Sequence, residues 1–321
     1  MKKEFILALF SLTLLCMGCY KEDALVAKEG LEFHYTVPQG QSPEADPKIV
    51  DYYNKYVFYI LYDFRPADMF WNNTSWNESV VMKQGDPAYA AKHLDLVEKA
   101  FFNYWDERYM KYLPKKVLLC SRLDDYSTTG GGDGDGNTVY DILNRVNIYV
   151  GYDNIGLNGC SAELDTMTFE VKGKFQTEVN AYMLGLLFER GDIVVPQEFA
   201  DADVLGYTYQ VFYTNTQVDS MFRAGYLSSQ TLTTDKELSI ENDFRSYLKL
   251  AAMPLELLEG EPAEFNYDDI YLKSDPPLWG CMNSLRDPYG RIRVKYNAMM
   301  SYLESLGLPV NMWQYPEHLK D

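Results

Sequence analysis

Histidine is nearly absent from this 321-residue chain: His34, His93 and His318 are the whole supply, so residues 94–317 contain none. Imidazole is the common base beside a serine or cysteine nucleophile and a standard zinc ligand, so both chemistries are short of parts. His34 falls in a polar stretch, while His93 and His318 read as exposed helix and terminal positions. Cysteine is also sparse. Of the five, Cys16 falls in the leader and Cys19 just behind it, leaving Cys120, Cys160 and Cys281, which allow at most one disulfide. None has Cys-x-x-Cys spacing, which argues against a structural zinc knuckle; they read as small buried hydrophobes. Positive charge is short too: 29 basic against 47 acidic residues give −18. With no basic cluster, a phosphate backbone would be repelled, which excludes nucleic acid as the partner. Long apolar runs are missing. The longest, Phe5 to Leu15, has eleven residues, too few to span a bilayer but suited to a secretory h-region behind Lys2 and Lys3.

The leader ends LLCMGC, with Gly18 before Cys19, and resembles a bacterial lipobox in which Cys19 becomes the acylated N-terminus. The following YKED resembles the surface-export tag of Bacteroidota lipoproteins. Three acyl chains anchor stably where one would not. The expectation is an outer-membrane lipoprotein facing outward. Its organisation would be a signal peptide over 1–18, an acylated N-terminus and tether over 19–46, and one domain over 47–321. Hydrophobic residues at 47% and charged residues at 24% match a globular chain with a sizeable core.

Along that domain, residues 51–63 predict a helix-to-strand entry or a long strand. Leu94, Val97, Phe101 and Tyr104 or Trp105 at helical spacing predict a helix over 88–109, stopped by Pro114. KKVLLC then reads as a short buried strand ending at Cys120. TGGGDGDGN, residues 129–137, reads as a flexible loop. Its Asp133 and Asp135 suggest calcium, but Thr138 and Asn144 stand where an EF-hand loop wants glycine and a bidentate acid. Further helices are predicted over 175–190, 238–252 and 291–306, each ended by glycine or proline. Helices and strands without regular β-α-β alternation argue an α+β class.

FQTEVNAYMLGLL followed by PQEF, then AGYLSSQ, ENDFRSYLKLA and RIRVKYNAMMSYLESLGL, in this order and spacing, resembles a known family. It is that of the zinc-binding metallopeptidase lipoproteins of Bacteroidota, the substrate import-associated zinc metallohydrolases found beside TonB-dependent transporters. The resemblance covers most of the chain after the leader and implies a zincin-like domain. Members carry His-Glu-x-x-His on the first of these helices, placing two imidazoles on one face around zinc with the glutamate as base. Here Asn180 and Leu184 occupy the histidine positions and Ala181 replaces the glutamate. A second register puts Thr177 and Ala181 at the ligand positions and keeps Glu178. Gly225-Tyr226-Leu227-Ser228 matches Gly-Phe-Val-Ser. The later acidic motif becomes Asn242-Asp243-Phe244-Arg245-Ser246, losing both outer acids. No histidine remains in either register. Glu178, Glu189, Asp192 and Asp243 would make an oxygen-only site, which selects calcium or magnesium rather than zinc.

Two functions of different class follow. One is a non-catalytic accessory of a TonB-dependent import system, without zinc, binding glycan, peptide or the transporter complex. Trp71 and Trp76 in FWNNTSWNE, flanked by amides, suit sugar faces or a loop base. The other is a divergent hydrolase with a metal or carboxylate site.

Overall fold

The computed structural model describes residues 35–70, 80–132, 138–204, 206, 215–228, 233–262, 278–313 and 319. The chain divides into two units, Met1–Thr36 and Val37–Asp321. Of the first, Tyr35 and Thr36 are the described residues. The second unit is a mixed α+β structure beginning at Val37. Buried Asp46 shows why the stretch before it belongs to the fold. Its carboxylate accepts from Tyr62 Oη at 2.8 Å and from the Gly40 amide at 2.9 Å. Residues read as tether thus tie the first helix to the first strand.

That helix, α1 (Asp46–Tyr56), starts with Pro47, whose missing N–H costs nothing in a first turn. It ends at Val57, held at φ 64°. Strand β1 (Tyr59–Leu61) follows, resolving the expected entry into helix then strand. A helical turn, Pro66–Met69, leads on toward β2 (Val80–Gln84) and α2 (Ala90–Ala100). The helix expected over 88–109 therefore stops at Ala100; Phe101 leaves helical geometry, and short turns cover Phe102–Tyr104 and Glu107–Met110.

The sheet is built on β3 (Lys116–Gly132), far longer than the strand expected to end at Cys120. Its first third lies between parallel neighbours, β1 and β6 (Asn154–Asn158), with Tyr59 opposite Lys116 and Cys120 opposite Asn158. Beyond Cys120 it pairs antiparallel with β2 and with β4 (Thr138–Arg145). The ladder runs through Gly132, so residues 129–132 are strand, not loop. β5 (Ile148–Val150) adds an antiparallel edge beside β6. Val117 and Leu119 face the main core, while Leu118 and Cys120, also fully buried, face the opposite side. A parallel strand covered on both faces needs such a continuous apolar run. On that second side, Gly156 lets Met69 approach: a Cβ there would sit 2.6 Å from the Met69 methyl.

The main core lies between the sheet and a helical layer. Helix α3 (Phe169–Glu189) is capped by Thr168 and ended by Gly191 at φ 80°. α4 (Asn215–Ala224), α5 (Lys236–Ala251) and α6 (Arg291–Ser305) complete this layer, with α5 and α6 matching their expected spans within two residues. Asp235 caps α5, and Asp287 accepts from the Arg291 and Arg293 amides at the start of α6. Among the described residues, no helix is long and apolar enough to cross a membrane.

Candidate functional site

Helix α3 carries the positions singled out by sequence, and its faces assign them different roles. Phe175, Gln176, Val179, Asn180, Met183, Leu184 and Leu187 are buried at i, i+3, i+4 spacing. Asn180 is a structural clamp. Its Oδ1 accepts from Trp105 Nε1 at 2.9 Å, and its Nδ2 donates to the carbonyls of Ala100 at 2.9 Å and Gln176 at 2.8 Å. Ala100 ends α2, and its carbonyl is one of those a helix terminus leaves without an intrahelical donor. The amide therefore docks α3 onto the end of α2. Leu184 is fully buried in the main core. The register that places ligands at 180 and 184 thus points both into packed protein; Ala181 alone of that set is half-buried.

The second register lies on the half-buried side. Thr177 Oγ1 donates to the Ala252 carbonyl at 3.1 Å, at the end of α5. Glu178 is hydrogen-bonded to Asn147 beside β5 and lies 3.8 Å from Lys174. Burial pushes its carboxyl pKa up, while Lys174 and Asn147 pull the other way. Thr177, Glu178 and Ala181 together offer one carboxylate.

The later motifs meet in a second cluster. Asp243 is fully buried and its Oδ2 accepts from Lys295 Nζ at 2.7 Å. Gly225, at φ 89°, turns its carbonyl toward Tyr247 Oη (2.8 Å) and Lys295 Nζ (3.2 Å). Tyr226 Oη donates to Asp203 at 2.7 Å. Asn242 and Ser246 do not join this cluster in α5: the Ser246 hydroxyl donates to the Asn242 carbonyl within the helix. Glu189 pairs with Arg245 at 2.8 Å, and Asp192 is exposed past the end of α3. The four acids considered for an oxygen site are therefore not gathered. Among the described residues, no group of three or more His, Cys, Asp or Glu is placed to hold a metal.

His93 corrects the expectation of an exposed helix residue. It is fully buried on α2, with Nε2 donating to the Asn158 carbonyl at 3.0 Å and its ring 6.2 Å from that of Phe175. Burial drives its pKa from 6.5 down to about 4, so the ring is neutral. Gly159, at φ 124°, makes room for it: a Cβ would sit 3.2 Å from Nε2. Cys120, Cys160 and Cys281 are buried free thiols, as small core residues would be. Cys19, Trp71, Trp76, Asp133, Asp135, His34 and His318 lie outside the described residues.

Lys295, Asp203, Trp105 and the buried state of His93 were missed by sequence reasoning. The signal was available for two of them. Lys295 follows Ile292 by three and precedes Met299 by four, and His93 follows Ala90 by three, so both sit in apolar helical stripes. Asp203 carried none, and Trp105 reads as an apolar helix position without its indole hydrogen bond to Asn180.

No family model matches the chain, and no curated protein matches it. One solved structure it is similar to is "a putative zinc-binding metallo-peptidase from Bacteroides caccae ATCC 43185", at 12% identity over 86% of this chain and 91% of that one. The TM-score is 0.45, at which the likeness carries no argument.

Proposed function

We propose that this chain is a non-catalytic surface lipoprotein, a zinc-free accessory of a TonB-dependent nutrient import system at the outer membrane, built on a zincin-like domain. The resemblance of its helix order to the import-associated metallohydrolases supplies the class. One observation carries the loss of chemistry: α3 presents no imidazole, commits Asn180 to three hydrogen bonds within the scaffold, and buries Leu184. A catalytic zinc takes three ligands of histidine, carboxylate or thiolate type and keeps one open position. Thr177, Glu178 and Ala181 supply one such group. Lys295 neutralises Asp243, the remaining acid of the later motif, from inside the fold.

The deciding experiment is elemental analysis of purified protein beside a peptidase assay with and without chelator. Substoichiometric zinc and no chelator-sensitive cleavage are expected; one tightly held zinc per chain would overturn the reading. Metabolic acyl labelling lost in Cys19→Ala tests the anchor. Co-purification with an outer-membrane transporter tests the association, and soluble glycan or peptide binding tests the ligand.

A second reading has one observation behind it. Glu178 is a half-buried carboxylate with a raised pKa, a property found at general acids and bases as well as in structural ion pairs. A divergent hydrolase would lose its activity in Glu178→Gln.

A further inference from the structure

Lys295 projects from α6 into the helical layer with its side chain 1% exposed. Its ammonium meets oxygen on one side: Asp243 Oδ2 at 2.7 Å, the Gly225 carbonyl at 3.2 Å and Asp203 Oδ1 at 3.5 Å. Aromatic faces lie around it, with ring centroids of Tyr226, Phe199 and Tyr247 at 4.3, 5.8 and 5.9 Å. The oxygens are braced in turn. Tyr226 Oη holds Asp203, and Tyr247 Oη holds the Gly225 carbonyl. Gly225 is required here, since its φ of 89° disfavours side chains and a Cβ would stand 3.1 Å from that of Arg291.

Carboxylate and carbonyl oxygens combined with ring faces select an organic ammonium ion. The rings attract a cation through their quadrupoles, and the oxygens accept its N–H groups. Magnesium would need near-octahedral oxygen ligands, which ring carbons do not provide. The charge count requires a cation, because two buried carboxylates without one would be strongly disfavoured. We propose that Asp203, Gly225, Tyr226 and Asp243 form a receptor for a primary ammonium, which the chain fills with its own Lys295. Shortening that side chain opens the cage to small alkylammonium ions. The receptor's contributors come from three separate segments and its occupant from a fourth, so that occupant also sets how α6 docks against α5 and the turn at Gly225.

The test compares Lys295→Ala, which removes the side chain beyond Cβ, with Lys295→Met, which fills the channel as far as Cε and lacks the ammonium. n-Propylammonium carries the missing three carbons and the nitrogen. Lys295→Ala is expected to melt roughly 10 °C below wild type. Propylammonium chloride should recover most of that loss, whereas sodium chloride at equal ionic strength should not, and wild type and Lys295→Met should show no propylammonium-specific gain. Equal responses to both salts, or no recovery, would overturn the proposal. Should Lys295→Ala fail to fold, it is refolded from denaturant in each salt. Native circular dichroism recovered only with propylammonium supports the cage, and any other result refutes it. The zinc content of wild type and this response can fail separately, because the first concerns α3 and the second the Lys295 cluster.

Discussion

Acid should weaken this fold through His93. In the unfolded chain the imidazole takes up a proton near pH 6.5; in the folded protein burial delays that to about 4. Its Nε2 proton already goes to the Asn158 carbonyl, so a second proton would land on Nδ1, which has no hydrogen-bond partner among the described residues. The folded pKa is depressed, so the contribution is complete above pH 6.5 and is lost as pH falls from 6.5 to 4. The gap corresponds to about 3 kcal/mol, with a slope approaching 1.4 kcal/mol per pH unit inside that window. Urea denaturation from pH 4 to 7.5 measures it, with His93→Gln as the reference. Glutamine keeps an N–H for Asn158 but does not titrate. The wild-type curve should fall more steeply than the variant's by one proton between pH 6.5 and 4. Parallel curves would refute the buried neutral ring, as would an imidazole titrating near 6.5 by NMR and assigned to His93.

Three other substitutions probe the site and its supports. Asn180→Leu should destabilise the fold by about 3 kcal/mol, because the Trp105 indole N–H and the Ala100 carbonyl lose their partners; chemical denaturation reads this, and an unchanged midpoint would show that the clamp is idle. Glu178→Gln should raise the melting temperature at pH 7. Its folded pKa is raised, so the carboxyl's stability contribution is present at low pH and lost as pH rises, and the variant's advantage should vanish in acid. Gly85→Ala should cost about 1–3 kcal/mol by overpacking. Its Cβ would stand 2.6 Å from the Leu119 carbonyl oxygen and 2.8 Å from Cys160 Sγ. Normal melting of that variant would mean the β2 turn yields easily.

Local pattern and position within the fold divided the work unevenly. The spans of α5 and α6 and the end of α3 were legible because apolar spacing and a stopping glycine or proline are local properties of the chain; α3 begins at Phe169, six residues before the expected start. The α+β class followed from element order alone. Strand β3 was misread because its continuation past Cys120 depends on pairing with β2, more than thirty residues earlier, and with β4, on the far side of a glycine-rich stretch that reads locally as loop. The burial of Asn180 and Leu184 on α3 was hidden for a related reason. Periodicity shows that a helix has a buried stripe, but Asn180 looks polar in sequence and becomes core only through Trp105 and Ala100, contributed by another helix and its turn. His93 likewise reads as surface until Asn158 and Phe175 close over it. The scarcity of imidazole is a count, so the sequence by itself determined that residues 94–317 hold no histidine. Tertiary structure decided which carboxylates stay open and which are neutralised. Asp243 and Lys295 are 52 residues apart, and a charge pair across that separation exists only once α5 and α6 pack.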